Sequence, residues 1–124
     1  MRVVVIGATG RTGGEIVAEA AERDHDVVGV ARESGEVGGV SVRPAEELSA
    51  VLADADAAID FTVPEATRTH VEAAAEASVP YVVGTTGFDE SGIARLRDAS
   101  DSTAVLTASN FALRRQALLR LLQA

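Results

Sequence analysis

At 124 residues the chain is long enough for one domain with a real core and too short for two sizeable ones. Hydrophobic residues make up 47% and aromatic residues 3%, so the core is built from valine, alanine, leucine and isoleucine, while zero cysteines exclude disulfides, thiolate metal sites and a cysteine nucleophile. The net charge is −8 and all 11 basic residues are arginine; a surface this acidic repels the nucleic-acid backbone and anionic lipid, so neither is an expected partner.

The same lysine-free acidity suits either a protein that stays soluble in concentrated salt or a gene rich in G and C. No apolar run approaches the ~18 residues of a membrane span, and the chain opens on a strand-like run rather than a signal peptide, so a cytoplasmic location is expected.

Val3-Val4-Val5-Ile6, within residues 2–6, reads as a buried parallel strand. It runs into Gly7-Ala8-Thr9-Gly10-Arg11-Thr12-Gly13-Gly14, and residues 11–23 follow as a helix with Ile16, Val17, Ala20 and Ala21 at helical spacing. A strand that turns into a helix through glycines leaves the helix's first N–H groups free to hold a pyrophosphate. Gly7, Ala8, Thr9, Gly10, Arg11, Thr12 and Gly13 are therefore the first candidate cofactor-binding residues. Their G-x-x-G-x-x-G spacing departs from the commoner G-x-G-x-x-G, and tight turns also need glycine for purely structural reasons.

Residues 26–31 supply a second strand and complete a β-α-β unit of about thirty residues, as a dinucleotide fold demands. Glu33 then lies about twenty residues past the last motif glycine, where a carboxylate accepts hydrogen bonds from the adenosine ribose. Arg32 beside it, assisted by Arg11, would instead neutralise a 2′-phosphate, so NADH and NADPH both stay open.

Residues 34–39 read as a glycine-rich loop with too little apolar content to pack, Val40-Ser41-Val42 as a short edge strand, and Pro44 as the start of a short helix over 45–52. A strand over 56–61 leads through a loop into a helix over 65–77, with Val71, Ala74 and Ala75 on one side and Glu72 and Glu76 on another. A strand over 79–83 meets Gly84-Thr85-Thr86-Gly87. A helix over 90–99 turns Ile93 and Leu96 inward, and 103–107 supplies the last strand. The repeated β-α-β order predicts an α/β, doubly wound parallel sheet, Rossmann-like, in a single domain. Residues 112–124 read as a terminal helix with a leucine stripe and a basic cluster of Arg114, Arg115 and Arg120, expected either to pack on the open face of the sheet or to lead into something beyond it.

Ligands of such a sheet sit outside the carboxyl ends of the strands. Those ends supply Asp60-Phe61-Thr62, Gly84-Thr85-Thr86 and Ala108-Ser109-Asn110-Phe111 in addition to the glycine loop and Arg32-Glu33. Small, hydroxyl and amide groups dominate, and apart from Asp60 and Glu33 none is a strong base near neutral pH; the edge reads as a binding surface without a catalytic acid or base. Asp60, ending an apolar strand, suits a hydrogen-bonded structural role at least as well as a functional one. His25 and His70 have no second imidazole or cysteine at ligand spacing, so no metal site is expected, and His70 is placed at the surface in preference to a position on a helix beside the cofactor edge.

Taken together, Gly7 to Gly13, Asp60-Phe61-Thr62 with Pro64-Glu65, Val83-Gly84-Thr85-Thr86-Gly87-Phe88 and Asn110-Phe111-Ala112 resemble the amino-terminal domain of dihydrodipicolinate reductase. The D-F-T-x-P-E and G-T-T-G-F runs, in this order, discriminate where the glycine loop alone would not. The resemblance implies a reductase of the diaminopimelate route to lysine that uses NADH or NADPH to reduce 4-hydroxy-tetrahydrodipicolinate to tetrahydrodipicolinate. It implies a dinucleotide-binding domain over residues 1–111, with the pyrophosphate at Gly7 to Gly13 and the adenosine ribose at Glu33. Phe61, Thr62, Gly84, Thr85, Thr86, Ala108, Ser109, Asn110 and Phe111 would surround the nicotinamide side.

In that family a second domain carries the substrate site and the sheet that builds a homotetramer. Residues 112–124 would lead to it, although Leu113-Arg114-Arg115-Gln116 stands where the family has a glycine-containing helix start. The chain alone is thus expected to bind the dinucleotide without turnover and without forming the tetramer. The glycine loop also resembles atypical short-chain dehydrogenases and NAD(P)-sensor proteins. Against the former, the lone tyrosine, Tyr81, lies in a strand and no lysine completes a Tyr-x-x-x-Lys dyad. A third reading is a stand-alone cofactor-binding or assembly module whose 113–122 helix docks a partner.

Overall fold

The computed structural model describes residues 1–84 and 87–107. Among them run β1 (Arg2–Ile6), α1 (Arg11–Glu22), β2 (Asp26–Ala31), β3 (Gly35–Val37), β4 (Val40–Pro44), α2 (Leu48–Leu52), β5 (Ala57–Asp60), α3 (Pro64–Glu76), β6 (Tyr81–Val83), α4 (Glu90–Ser100) and β7 (Val105–Thr107). They build one seven-stranded sheet in the order β3-β4-β2-β1-β5-β6-β7, parallel throughout except for β3 against β4. This is the Rossmann-like, doubly wound arrangement the β-α-β order predicts. None of the described helices is long and apolar enough to cross a membrane. The helix expected over 112–124 lies outside the described residues.

The direction of each crossover sets which face its helix covers. The step from β1 to β2 runs one way along the sheet, and α1 packs Ile16, Val17 and Ala20 on the face of Val3, Val5, Ile59 and Val82. The steps from β4 to β5, β5 to β6 and β6 to β7 run the other way, and α2, α3 and α4 bring Leu48, Leu52, Val71, Ala74, Leu96 and Ala99 to the opposite face, against Val4, Ile6, Val30, Ala58, Tyr81 and Val83. Strands enclosed on both sides read as continuous apolar runs, which is why Val3-Val4-Val5-Ile6 and Ala57-Ala58-Ile59 show no polar alternation. The direction of winding reverses beside β1, and that opens a crevice at the carboxyl ends.

Register brings those ends level. Ile6 pairs with Val30 on one side and Asp60 on the other, Asp60 pairs with Val83, and Val83 pairs with Thr107. Gly7, Ala31, Phe61 and Gly84 therefore leave the sheet along one line.

Several local expectations need correction. Residues 34–39 are not an unpacked loop: β3 pairs with β4 as a hairpin, turned by Gly38 and Gly39, both at positive φ. Two such glycines make the tight turn whose twist matches paired strands. Val40-Ser41-Val42 is accordingly interior to the sheet, and β3 takes the edge. The segment after Pro44 begins as a 3-10 turn over Ala45–Glu47 before α2. Ile93 is 42% exposed, because α4 turns Leu96 and Ala99 to the sheet instead.

Candidate functional site

The glycine loop is shaped by close backbone approach. Gly7 has φ of +86°, a region other residues rarely adopt, and its N–H bonds to the carbonyl of Val30 at 2.8 Å, tying the loop to β2. Gly13 sits where a Cβ would stand 2.0 Å from the Gly7 carbonyl oxygen, so the first turn of α1 lies directly on the loop. The helix begins at the N-cap Gly10, which has no side chain to cap it, and its first turn holds no acidic residue. The first N–H groups of a helix have no intrahelical partner. Here they stand open, with the positive end of the helix dipole behind them, which is the cradle an anion needs.

Level with this loop, Arg32 and Glu33 follow β2, both exposed and without an ion pair among the described residues. On the other flank the ring of Phe61 lies over Gly84: a Cβ there would come within 2.2 Å of it, so only glycine lets the ring bridge the ends of β5 and β6. Thr85, Thr86, Ala108, Ser109, Asn110 and Phe111 lie outside the described residues.

Asp60, fully buried, anchors the middle. Its Oδ1 accepts from the Thr62 N–H at 2.9 Å and the Thr62 hydroxyl at 2.6 Å; its Oδ2 accepts from Nδ1 of His70 at 2.9 Å and from the Tyr81 hydroxyl. Tyr81 reaches it because Ala58 and Tyr81 are register partners, so Asp60 and Tyr81, two residues apart along the ladder, share the α3 face. Burial pushes the Asp60 carboxyl up, but hydrogen bonds from His70, Thr62 and Tyr81, with the His70 charge, outweigh it and hold the group below its ordinary value. Burial, the Asp60 charge and the bond to it push the Tyr81 phenol well above 10. Its hydroxyl is committed inside the protein, which leaves no exposed phenol for a short-chain-dehydrogenase dyad.

A cleft of about 700 Å³ opens over this edge. It joins Gly7, Thr9, Gly10, Arg32, Glu33, Phe61 and Thr62 from the sequence reading. Ala8 and Gly13 are buried beneath it, while Arg11, Thr12 and Gly84 stand outside its lining. The sequence reading missed Ile6, Val30, Ala31, Ala45, Val63, Ala66 and His70, which also line it. The placement of His70 at the surface is wrong: it is 8% exposed and bonded to Asp60. Spacing held the signal, since Thr67, His70, Val71 and Ala74 recur at i, i+3, i+4 and i+7 and so share the inward stripe of α3.

The family described as "Dihydrodipicolinate reductase, N-terminus" matches residues 1–111. The 4-hydroxy-tetrahydrodipicolinate reductase of Natronomonas pharaonis is 68% identical over 124 residues, covering 100% of this chain and 50% of the relative. That of Haloarcula marismortui is 48% identical, covering 98% and 49%. The chain thus spans about half the length of the curated relatives it matches. Among solved structures, aspartate semialdehyde dehydrogenase II of Vibrio cholerae superposes with a TM-score of 0.64 at 22% identity, covering 88% of this chain and 41% of that one, a likeness of fold. With the glycine loop, the D-F-T-x-P-E run and the G-T-T-G-F run all inside the matched stretch, the chain belongs to the dihydrodipicolinate reductase family through that enzyme's amino-terminal part.

Proposed function

We propose that this chain binds NADH or NADPH in the cleft and is the cofactor-binding part of a reductase that converts 4-hydroxy-tetrahydrodipicolinate to tetrahydrodipicolinate on the diaminopimelate route to lysine. The observation that carries the reading is the uncapped, glycine-lined start of α1 opening on the same cleft as Arg32 and Glu33. The residues fit the group: Gly10, which lines the cleft as the N-cap of α1, sets no side chain over the first N–H groups of that helix. The loop from Gly7 to Gly13 would hold the pyrophosphate through the open N–H groups of the first turn of α1, at Arg11, Thr12 and Gly13, and Glu33 would hold the adenosine ribose. Arg32, with Arg11, would hold a 2′-phosphate where there is one. Phe61, Thr62 and Gly84, with Thr85, Thr86 and Ala108 to Phe111, would wall the nicotinamide side.

When bound, the reduced nicotinamide supplies a hydride. The chain's own residues hold and orient it, and Asp60, saturated by its donors, is not free to act as an acid or base. Residues 1–111 are then the dinucleotide-binding domain, and these 124 residues alone bind cofactor without turnover. Calorimetric titration with NADH and NADPH tests the reading. Failure of both to bind at millimolar concentration overturns it, and reduction of the substrate by the 124-residue chain overturns the expectation of no turnover.

A further inference from the structure

Beyond the loop and the Arg32-Glu33 pair, the cleft contains one polar group that no contact accounts for. His70, on the second turn of α3, donates from Nδ1 to Asp60, lines the cleft, and has no partner for Nε2 among the described residues, although that atom is not sealed from solvent. A carboxylate only accepts, so in the neutral ring the proton sits on Nδ1 and Nε2 offers a bare lone pair. Asp60 and the packing of α3 hold the ring in that pose. Ala45, Val63 and Ala66 line the same cleft with apolar surface. An apolar slot with a single fixed acceptor suits a flat heteroaromatic ring that carries an N–H donor on its edge.

On the cofactor reading above, on which this inference rests, the pyrophosphate lies at the start of α1 and the adenosine ribose at Glu33. The next part of the dinucleotide, beyond the ribose and toward Ala45, Ala66 and His70, is the adenine. We infer that Nε2 of His70 accepts a hydrogen bond from the exocyclic amino group of the adenine, so that His70, held by Asp60, selects a 6-amino over a 6-oxo purine. A 6-oxo purine sets a carbonyl lone pair against the Nε2 lone pair and leaves both unpaired in a site built for a donor.

The test compares NADH with nicotinamide hypoxanthine dinucleotide, reduced, by calorimetry on the full chain at about pH 8.5. NADH should bind about five- to twenty-fold more tightly. His70→Asn keeps a donor for Asp60 in the place of Nδ1 and removes the acceptor; the ratio should fall to about one, through weaker binding of NADH. The unaltered chain gives an independent readout: the Nε2 nitrogen resonance of His70, distinguished from His25 with His25→Gln, should move on adding AMP. Equal binding of the two dinucleotides, an unchanged ratio in a folded His70→Asn, or a motionless resonance at saturating AMP overturns this assignment while leaving the cofactor reading standing. Binding of neither dinucleotide overturns both.

Discussion

Two adjacent glycines in the first turn of α1 should respond to alanine with opposite signs. A Cβ on Gly13 would stand 2.0 Å from the Gly7 carbonyl oxygen, 2.8 Å from its carbon and 3.2 Å from Cα of Ala8. All three are backbone atoms of a loop fastened to β2 through the Gly7 N–H, so none can rotate aside. Since carbon and oxygen in contact sit about 3.3 Å apart, relief requires α1 to shift by roughly 1 Å. Such a shift opens the packing of Ala8, Ile16 and Val17. Overpacking costs about 1–3 kcal/mol, and more where backbone must yield, while alanine's helical advantage over glycine returns about 1 kcal/mol. The net loss for Gly13→Ala is then about 2 kcal/mol or more. At Gly14 a Cβ meets only the Ala8 carbonyl oxygen, at 3.6 Å, an ordinary contact. Gly14→Ala should therefore gain about 0.5–1 kcal/mol. At about 3–5 °C per kcal/mol for a domain of this size, thermal unfolding followed by far-UV circular dichroism should separate the variants by about 10 °C. NADH binding should persist in Gly14→Ala and weaken in Gly13→Ala. Equal losses in both variants, or a Gly13→Ala as stable as the unaltered chain, would refute the close-approach argument.

Two further outcomes follow from the charges. Asp60 is held below its ordinary 3.8, so its contribution to stability is complete above that value and is lost as pH falls through the still lower folded value. Tyr81 is held well above 10, so its contribution is complete below 10 and is lost as pH rises toward the folded value. With one tyrosine in the chain, ultraviolet titration of the phenol reads Tyr81 directly; ionisation near pH 10 while circular dichroism still shows the folded state would contradict the buried network. The net charge of −8 adds self-repulsion, which salt screens as the Debye length falls from about 10 Å at 0.1 M to about 3 Å at 1 M. The unfolding temperature should rise over that range of potassium chloride, and a flat or falling curve would show that repulsion does not limit stability.

What the sequence made legible follows the range of the forces involved. Apolar runs and helical spacing are local, so β1, α1, β2, α3 and α4 were readable to within a residue or two. The β3 hairpin is less legible because Gly-Gly between Val37 and Val40 reads as slack within a polar stretch, although two glycines between short strands are a turn signal. In the site, the loop and Arg32-Glu33 were readable because their spacing alone implies a use. His70 was not, because its polarity outweighed its position on the inward stripe of α3. The partner that makes burial tolerable, Asp60, arrives from another element through the register of β5 and β6.

That partnership also gives a physical reason for reading the edge as a binding surface. An ionised carboxylate offers about four lone-pair sites. Asp60 fills them with the N–H and hydroxyl of Thr62, Nδ1 of His70 and the hydroxyl of Tyr81, which come from the end of β5, from α3 and from β6. To act as a general base it would have to release a donor and leave that donor unpaired in the interior, at a cost of about 1–3 kcal/mol. Its lowered proton affinity works in the same direction. This buried carboxylate is thus committed to holding two strand ends and a helix together. Asp60 therefore serves this edge through what it holds, fixing the loop at Thr62 and setting the pose of the His70 ring that lines the cleft.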